Sequence, residues 1–175
     1  MKHLIISYLI GMIPFGQIYA YFLGIGSLKT KGSGNIGATN AYRVGGKALG
    51  IATLISDMAK GFLCVYFFPH PWVFSFVTLG HIQFPFFTGG KGVATALGAA
   101  FALNIWLGFS LLALWLSTFS IARISGVASM ITFLSFPIVG YFFNVDLIMS
   151  GFTSLVILYA HRKNFLACIH NPATA

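Results

Sequence analysis

Val93-Ala94-Thr95-Ala96-Leu97-Gly98-Ala99-Ala100-Phe101-Ala102-Leu103 is the stretch on which the fold turns. It is apolar, yet short of the roughly 20 residues an α-helix needs to cross the hydrocarbon core of a bilayer. Counted as a span, it makes seven, with 4–23, 48–68, 72–87, 105–121, 125–143 and 147–160. With the first span starting outside, alternation then puts Lys29, Lys31, Arg43, Lys47, Lys91, Arg123, Arg162 and Lys163 on the cytoplasmic side, and 69–71 and 144–146 outside. Without it, Arg123, Arg162 and Lys163 move outside, against the excess of Lys and Arg that cytoplasmic loops carry. The expected fold is all-α: a polytopic helical membrane bundle of about seven transmembrane helices, one domain over residues 1–175.

Composition agrees. The chain is 58% hydrophobic and only 7% charged, far outside the range of soluble globular domains. Ten Lys and Arg face two acids, Asp57 and Asp146, an excess suited to anionic lipids or substrates. The basic residues sit at segment ends rather than among stacking aromatics on one soluble face, so nucleic-acid binding is not expected. Cys64 and Cys168 lack C-x-x-C spacing, and His3, His70, His81, His161 and His170 form no ligand pattern, so no metal is expected. The N-terminal apolar run continues to Leu23 without a small-residue cleavage site and reads as a retained span.

The polar chemistry lies in three islands: Gly32-Ser33-Gly34-Asn35-Ile36-Gly37-Ala38-Thr39-Asn40-Ala41-Tyr42-Arg43, Gly89-Gly90-Lys91-Gly92-Val93-Ala94-Thr95, and His161-Arg162-Lys163-Asn164. In the first, glycines let backbone approach a ligand, Ser33, Asn35, Thr39 and Asn40 offer hydrogen bonds, and Arg43 adds a planar fork of donors suited to phosphate. A structural turn with a capping Asn and a snorkelling Arg43 is the plainer reading. In the second, glycines and Lys91 precede a helix N-terminus, whose N–H groups favour an anion. In the third, His161 and Asn164 share a helical face, although a stop-transfer cluster explains Arg162 and Lys163 equally well. His81 by itself reads as a packing histidine, and Phe84-Pro85-Phe86-Phe87 as a lipid-facing run that could line an acyl groove. Asp57 and Lys60, three apart inside the second span, are expected to pair, since unpaired charge there is costly.

Two motif matches fail on context. Gly32 to Gly37 fits G-x-G-x-x-G with Asp57 downstream, but no βαβ unit surrounds it and Asp57 falls inside a span. Gly90-Lys91 lacks the Ser or Thr that must follow the Walker Lys; Gly92 stands there.

The whole set, G-S-G-N-x-G-A-T-N-x-x-R at Gly32 to Arg43, then Gly45-Gly46-Lys47, Asp57-x-x-Lys60-Gly61, Gly80-His81, Gly89 to Thr95 and His161-x-x-Asn164, resembles the bacterial acyl-phosphate:glycerol-3-phosphate acyltransferase (PlsY) family. The resemblance covers nearly the whole chain. It implies a seven-span enzyme of the bacterial cytoplasmic (inner) membrane with its site facing the cytoplasm. It implies acyl transfer from acyl phosphate to the sn-1 hydroxyl of glycerol 3-phosphate, giving lysophosphatidic acid and phosphate, with no cofactor. Ser33, Arg43, Lys91, His161 and Asn164 are then the expected catalytic set. Gly32, Gly34, Asn35, Thr39, Asn40, Lys47, His81, Gly89, Gly90, Gly92 and Thr95 are expected to bind substrate, and Asp57 and Lys60 to order the site.

The residues suit that reaction. An acyl phosphate is already activated, so the protein needs chiefly to hold two anions, orient a hydroxyl and stabilise developing charge. No Ser-His-Asp set is available, which favours direct attack by the substrate hydroxyl, with His161 or a substrate phosphate as base. The chain departs from the family pattern at Thr88, Ala167, Asn171 and Ala173 and is shorter between His81 and Gly89. The rival reading is a membrane transporter or channel for a phosphorylated anion, which would carry its polar groups towards mid-bilayer with access from both faces.

Overall fold

A computed structural model describes residues 1–163. Eight α-helices are found among them: α1 Lys2–Gly11, α2 Phe15–Phe22, α3 Ala38–Phe67, α4 Val73–Ile82, α5 Val93–Leu103, α6 Ile105–Ala122, α7 Ser125–Tyr141 and α8 Leu147–Ala160, with a 3₁₀ turn at Leu28–Thr30. Asn164, Ala167, Cys168, His170, Asn171 and Ala173 lie outside the described residues.

The first expected span is broken. α1 ends at Gly11 and α2 begins at Phe15, with Pro14, which has no N–H to continue a helix, at the junction. Together they form a stretch long and apolar enough to cross a membrane, as do α3 and α6. α3 starts ten residues before the expected 48 and bends at Gly46, whose φ of 80° and ψ of −173° lie outside helical space. That bend sets the first turns of α3, with Asn40 and Arg43, at an angle to the rest of the helix.

The expected span 72–87 is shorter than its hydropathy suggests. α4 stops at Ile82 in a Schellman-type end: Gln83 is left-handed (φ 58°, ψ 50°), its N–H donates to Gly80 O at 3.0 Å, and Phe84 N–H donates to Leu79 O at 3.1 Å. At 1.5 Å per residue α4 and α5 are each about 15–17 Å long, roughly half of a hydrocarbon core. The pair enters the bundle and returns, leaving the loop 83–92 below the level reached by longer helices. Tyr8 in the middle of α1 donates to Phe84 O at 2.7 Å, fixing that depth.

Both ends of the bundle can be assigned. His3 stacks on Phe68 with ring centres 5.1 Å apart, and the 69–71, 103–104 and 143–146 connections line one shared cavity of about 440 Å³. The start of α1, the α3–α4 turn, the α5–α6 junction and the α7–α8 turn therefore lie at one end, and the described residues of the three polar islands face the other, the second island recessed with the 83–92 loop. This is the alternation that counting 93–103 as a span requires.

Close helix contacts use small residues, as expected where lipid supplies no hydrophobic force between helices. A Cβ on Gly61 would meet Thr95 O and one on Gly98 would meet Met58 O, so α3 and α5 touch backbone to backbone. Gly11 and Gly80 do the same for α1 and α4. Phe74, Phe133 and Phe136 fill the centre of the main core, and Leu28, Ile36 and Leu49 that of a smaller one under the first island.

Candidate active site

The first island is held by one side chain. Asn40, 2% exposed, accepts from Ser33 N–H at 2.8 Å through Oδ1, while Nδ2 donates to Asn35 O, Lys31 O and Leu28 O at 2.7, 3.0 and 3.2 Å. Asn35 Oδ1 accepts Gly37 N–H at 2.7 Å, shaping the entry to α3. Both amides, expected to touch substrate, are engaged by backbone: Asn40 is a brace that presents Ser33, and Gly32 fits only because it lacks a Cβ against Asn40 Oδ1. Ser33, Thr39, Arg43 and Lys47 are exposed.

The second island folds back on α4. Gly90 N–H donates to His81 O at 3.0 Å and Gly89 N–H to Ile82 O at 3.2 Å. Gly92, at φ 83°, caps the start of α5 in a conformation that side-chain-bearing residues rarely adopt. Thr95 is wholly buried, with its carbonyl against Gly61, which makes it part of the α3–α5 contact. Lys91 stands at the mouth of α5, and burial, then the nearby Arg43 guanidinium, pull its pKa down to about 8.

The third island completes the group. His161, 2% exposed, places Nδ1 2.8 Å from Ile157 O. A carbonyl only accepts, so Nδ1 carries the hydrogen and Nε2 presents a lone pair. Burial, opposed by that bond and reinforced by Lys91, lowers its pKa to about 4, so the imidazole is neutral at pH 7. Arg162 lies over the rings of Tyr159 and Phe87 at 4.2 and 5.3 Å, joining the end of α8 to the loop before Gly89. Arg43 thus acts on Lys91, and Lys91 on His161, although the three are far apart in sequence.

Behind the loop lies a buried triad. Lys60 Nζ is 2.8 Å from Asp57 Oδ1, 2.8 Å from His81 Nδ1 and 2.9 Å from Ile13 O; Asp57 Oδ1 is 3.5 Å from His81 Nδ1. The expected Asp57–Lys60 pair is present, and His81, expected against substrate, stands behind Gly90 instead. The part of Ile13 was not anticipated; Pro14 inside an apolar run was its only signal.

Residues 2–171 match the family model described as glycerol-3-phosphate acyltransferase. The chain belongs to the glycerol-3-phosphate acyltransferase family. Among its relatives, the glycerol-3-phosphate acyltransferase of Wolbachia pipientis is 41% identical over 92% of this chain and 90% of its own length. That of Pelagibacter ubique is 40% identical over 94% and 92%. The crystal structure of PlsY, an integral membrane glycerol 3-phosphate acyltransferase in its glycerol 3-phosphate form, superposes with a TM-score of 0.86 at 34% identity, covering 96% of this chain and 90% of that one. Its lysophosphatidic acid form gives 0.83. This chain is accordingly an integral membrane acyltransferase of phospholipid synthesis, all-helical as expected from Val93–Leu103.

Proposed function

We propose that this acyltransferase moves a fatty acyl group from acyl phosphate to the sn-1 hydroxyl of glycerol 3-phosphate, at the cytoplasmic face of a bacterial inner membrane. The observation that carries the reading is the meeting of Arg43, Lys91 and His161 where the N-terminus of α5 opens. Two cations, free helix N–H groups and a neutral imidazole suit two phosphorylated reactants held together. A PlsY crystallised with glycerol 3-phosphate and with lysophosphatidic acid supports the acceptor and the product.

The step needs no covalent enzyme intermediate. The acceptor hydroxyl attacks the acyl carbon, the C–O bond to phosphate breaks, and the hydroxyl proton ends on the departing phosphate, giving ester and hydrogen phosphate. With a pKa of about 4, His161 is a poor proton store at pH 7, but its Nε2 lone pair can orient the hydroxyl. A phosphate dianion, with a pKa near 6, is the stronger base of the two. Arg43 and Lys91 offset charge on the phosphates, and Ser33, with Asn164 as the remaining member of the set, supplies hydrogen bonding.

Purified protein given acyl phosphate and glycerol 3-phosphate should release phosphate, and Ser33→Ala or Arg43→Ala should abolish the release. Flux of glycerol 3-phosphate into liposomes without lysophosphatidic acid would favour the transport reading. Lys60, the buried cation of α3, is held within the protein by an ion pair to Asp57 and by hydrogen bonds with Ile13 O and His81 Nδ1, an arrangement suited to a fixed structural group rather than to a passing anion.

A further inference from the structure

We propose that Asp57, Lys60 and His81 form a positioning device that sets the Gly89–Gly92 loop from behind, with His81 as the part that touches the loop. The inference rests on the proposed acyltransfer reaction, with the Gly89–Gly92 loop and Lys91 taken as the part of the site that holds glycerol 3-phosphate, as the family resemblance implies.

An ammonium has three N–H donors, and Lys60 has three acceptors within hydrogen-bond distance: the Asp57 carboxylate, the carbonyl of Ile13 in the α1–α2 break, and His81 Nδ1. Because Lys60 donates, His81 Nδ1 accepts, and the ring hydrogen resides on Nε2. A Cβ added to Gly90 would collide with His81 Nε2, so the ring edge is the surface on which Gly90 rests. The same residue's carbonyl takes Gly90 N–H, and a Cβ on Gly89 would strike that carbonyl. His81 therefore holds the loop by ring and by main chain. Rotation of the ring would present carbon to the ammonium, and movement of Lys60 would strand Asp57 and free Ile13 O. Three segments, the α1–α2 break, α3 and α4, are tied through one nitrogen, and His81 carries that tie to the glycine loop.

Stability alone is a weak reason to keep such a group, since a buried ion pair replaced by apolar residues of similar size is often neutral or better. Placement of backbone N–H groups around an anion demands tighter geometry than packing does.

The test uses full-length protein in detergent and two variants that strand no charge: Asp57→Leu/Lys60→Met, and His81→Phe, which keeps a ring without the acceptor. The expected result is a KM for glycerol 3-phosphate raised about tenfold with kcat changed less than about threefold, alongside roughly tenfold faster amide exchange at residues 89–90. His81→Asn, which can still accept from Lys60, should recover part of both effects, and it decides the matter if the larger changes prevent folding. Unchanged KM and exchange in the folded variants, or a collapse of kcat with KM intact, overturns the proposal. If exchange quickens but wild-type protein never acylates glycerol 3-phosphate, the acyltransferase reading falls and the positioning stands. If wild type is active and exchange is unaltered, the reverse holds.

Discussion

The Arg162 guanidinium lies 5.3 Å from the centre of the Phe87 ring, closing the end of α8 onto the segment that leads into the glycine loop. A partly exposed cation–π contact contributes about 0.5–1 kcal/mol. Arg162→Ala should therefore raise the KM for glycerol 3-phosphate by a few-fold, with little loss of thermal stability. Kinetics of Arg162→Lys, which keeps charge without the planar stack, separate packing from charge: recovery in this variant would sink the stacking account.

Gly90→Ala drives a methyl group into the His81 ring. Relief demands a shift of the loop or of the ring, at a cost of about 1–3 kcal/mol. Apparent affinity for glycerol 3-phosphate should weaken by roughly tenfold or more while kcat changes little. An unaltered KM would mean that the loop moves freely and that this contact is incidental.

The pKa of about 8 for Lys91 predicts the basic limb of the pH profile. In kcat/KM, which reports the free enzyme, activity towards glycerol 3-phosphate should fall as pH rises through about 8 and the ammonium is lost. Lys91→Arg should remove that limb between about pH 7 and 10, whatever its overall rate. The same shift acts on stability with a definite sign. Below about 8 both states hold the proton and the fold bears the full burial penalty. Between about 8 and the ordinary value of 10.5 the unfolded chain binds more protons, so stability rises with pH. The melting temperature of wild-type protein should accordingly rise between about pH 8 and 10 by more than that of Lys91→Met; an equal rise in the two would contradict this.

Removal of the Asn40 amide leaves Ser33 N–H and three carbonyls without their partner. Asn40→Ala should lose about 1–3 kcal/mol and most activity. Asn40→Asp keeps the acceptor for Ser33 but sets a buried carboxylate oxygen against three carbonyls, so it should melt no higher than Asn40→Ala at about pH 7. Full activity in Asn40→Ala would show that Ser33 needs no such brace.

Much of this architecture was legible in the residues because lipid imposes simple demands. Apolar runs announced the helices, and the sidedness of Lys and Arg made Val93–Leu103 a membrane element despite its length. The end of α4 was not legible, because Phe84-Pro85-Phe86-Phe87 is as apolar as a helix facing lipid, and hydropathy does not distinguish a half-crossing loop from a continuing span. Nor could the sequence tell an outward polar side chain from an inward one. Asn40 and His81 look like ligand contacts in a glycine-rich motif, whereas in space Asn40 bonds the 28–37 backbone and His81 lies against Lys60 and Gly90. The Asp57–Lys60 pair was legible because a charge inside a span demands a partner and helical spacing supplied one. The carbonyl of Ile13 carries no side-chain signature.

The stacking of His3 on Phe68 has a practical corollary. A reporter fused ahead of Lys2 would emerge at the end remote from Arg43, Lys91 and His161, whereas one inserted at the Gly24–Gly26 turn would stand at the end those residues occupy, where it could crowd the entry of substrate.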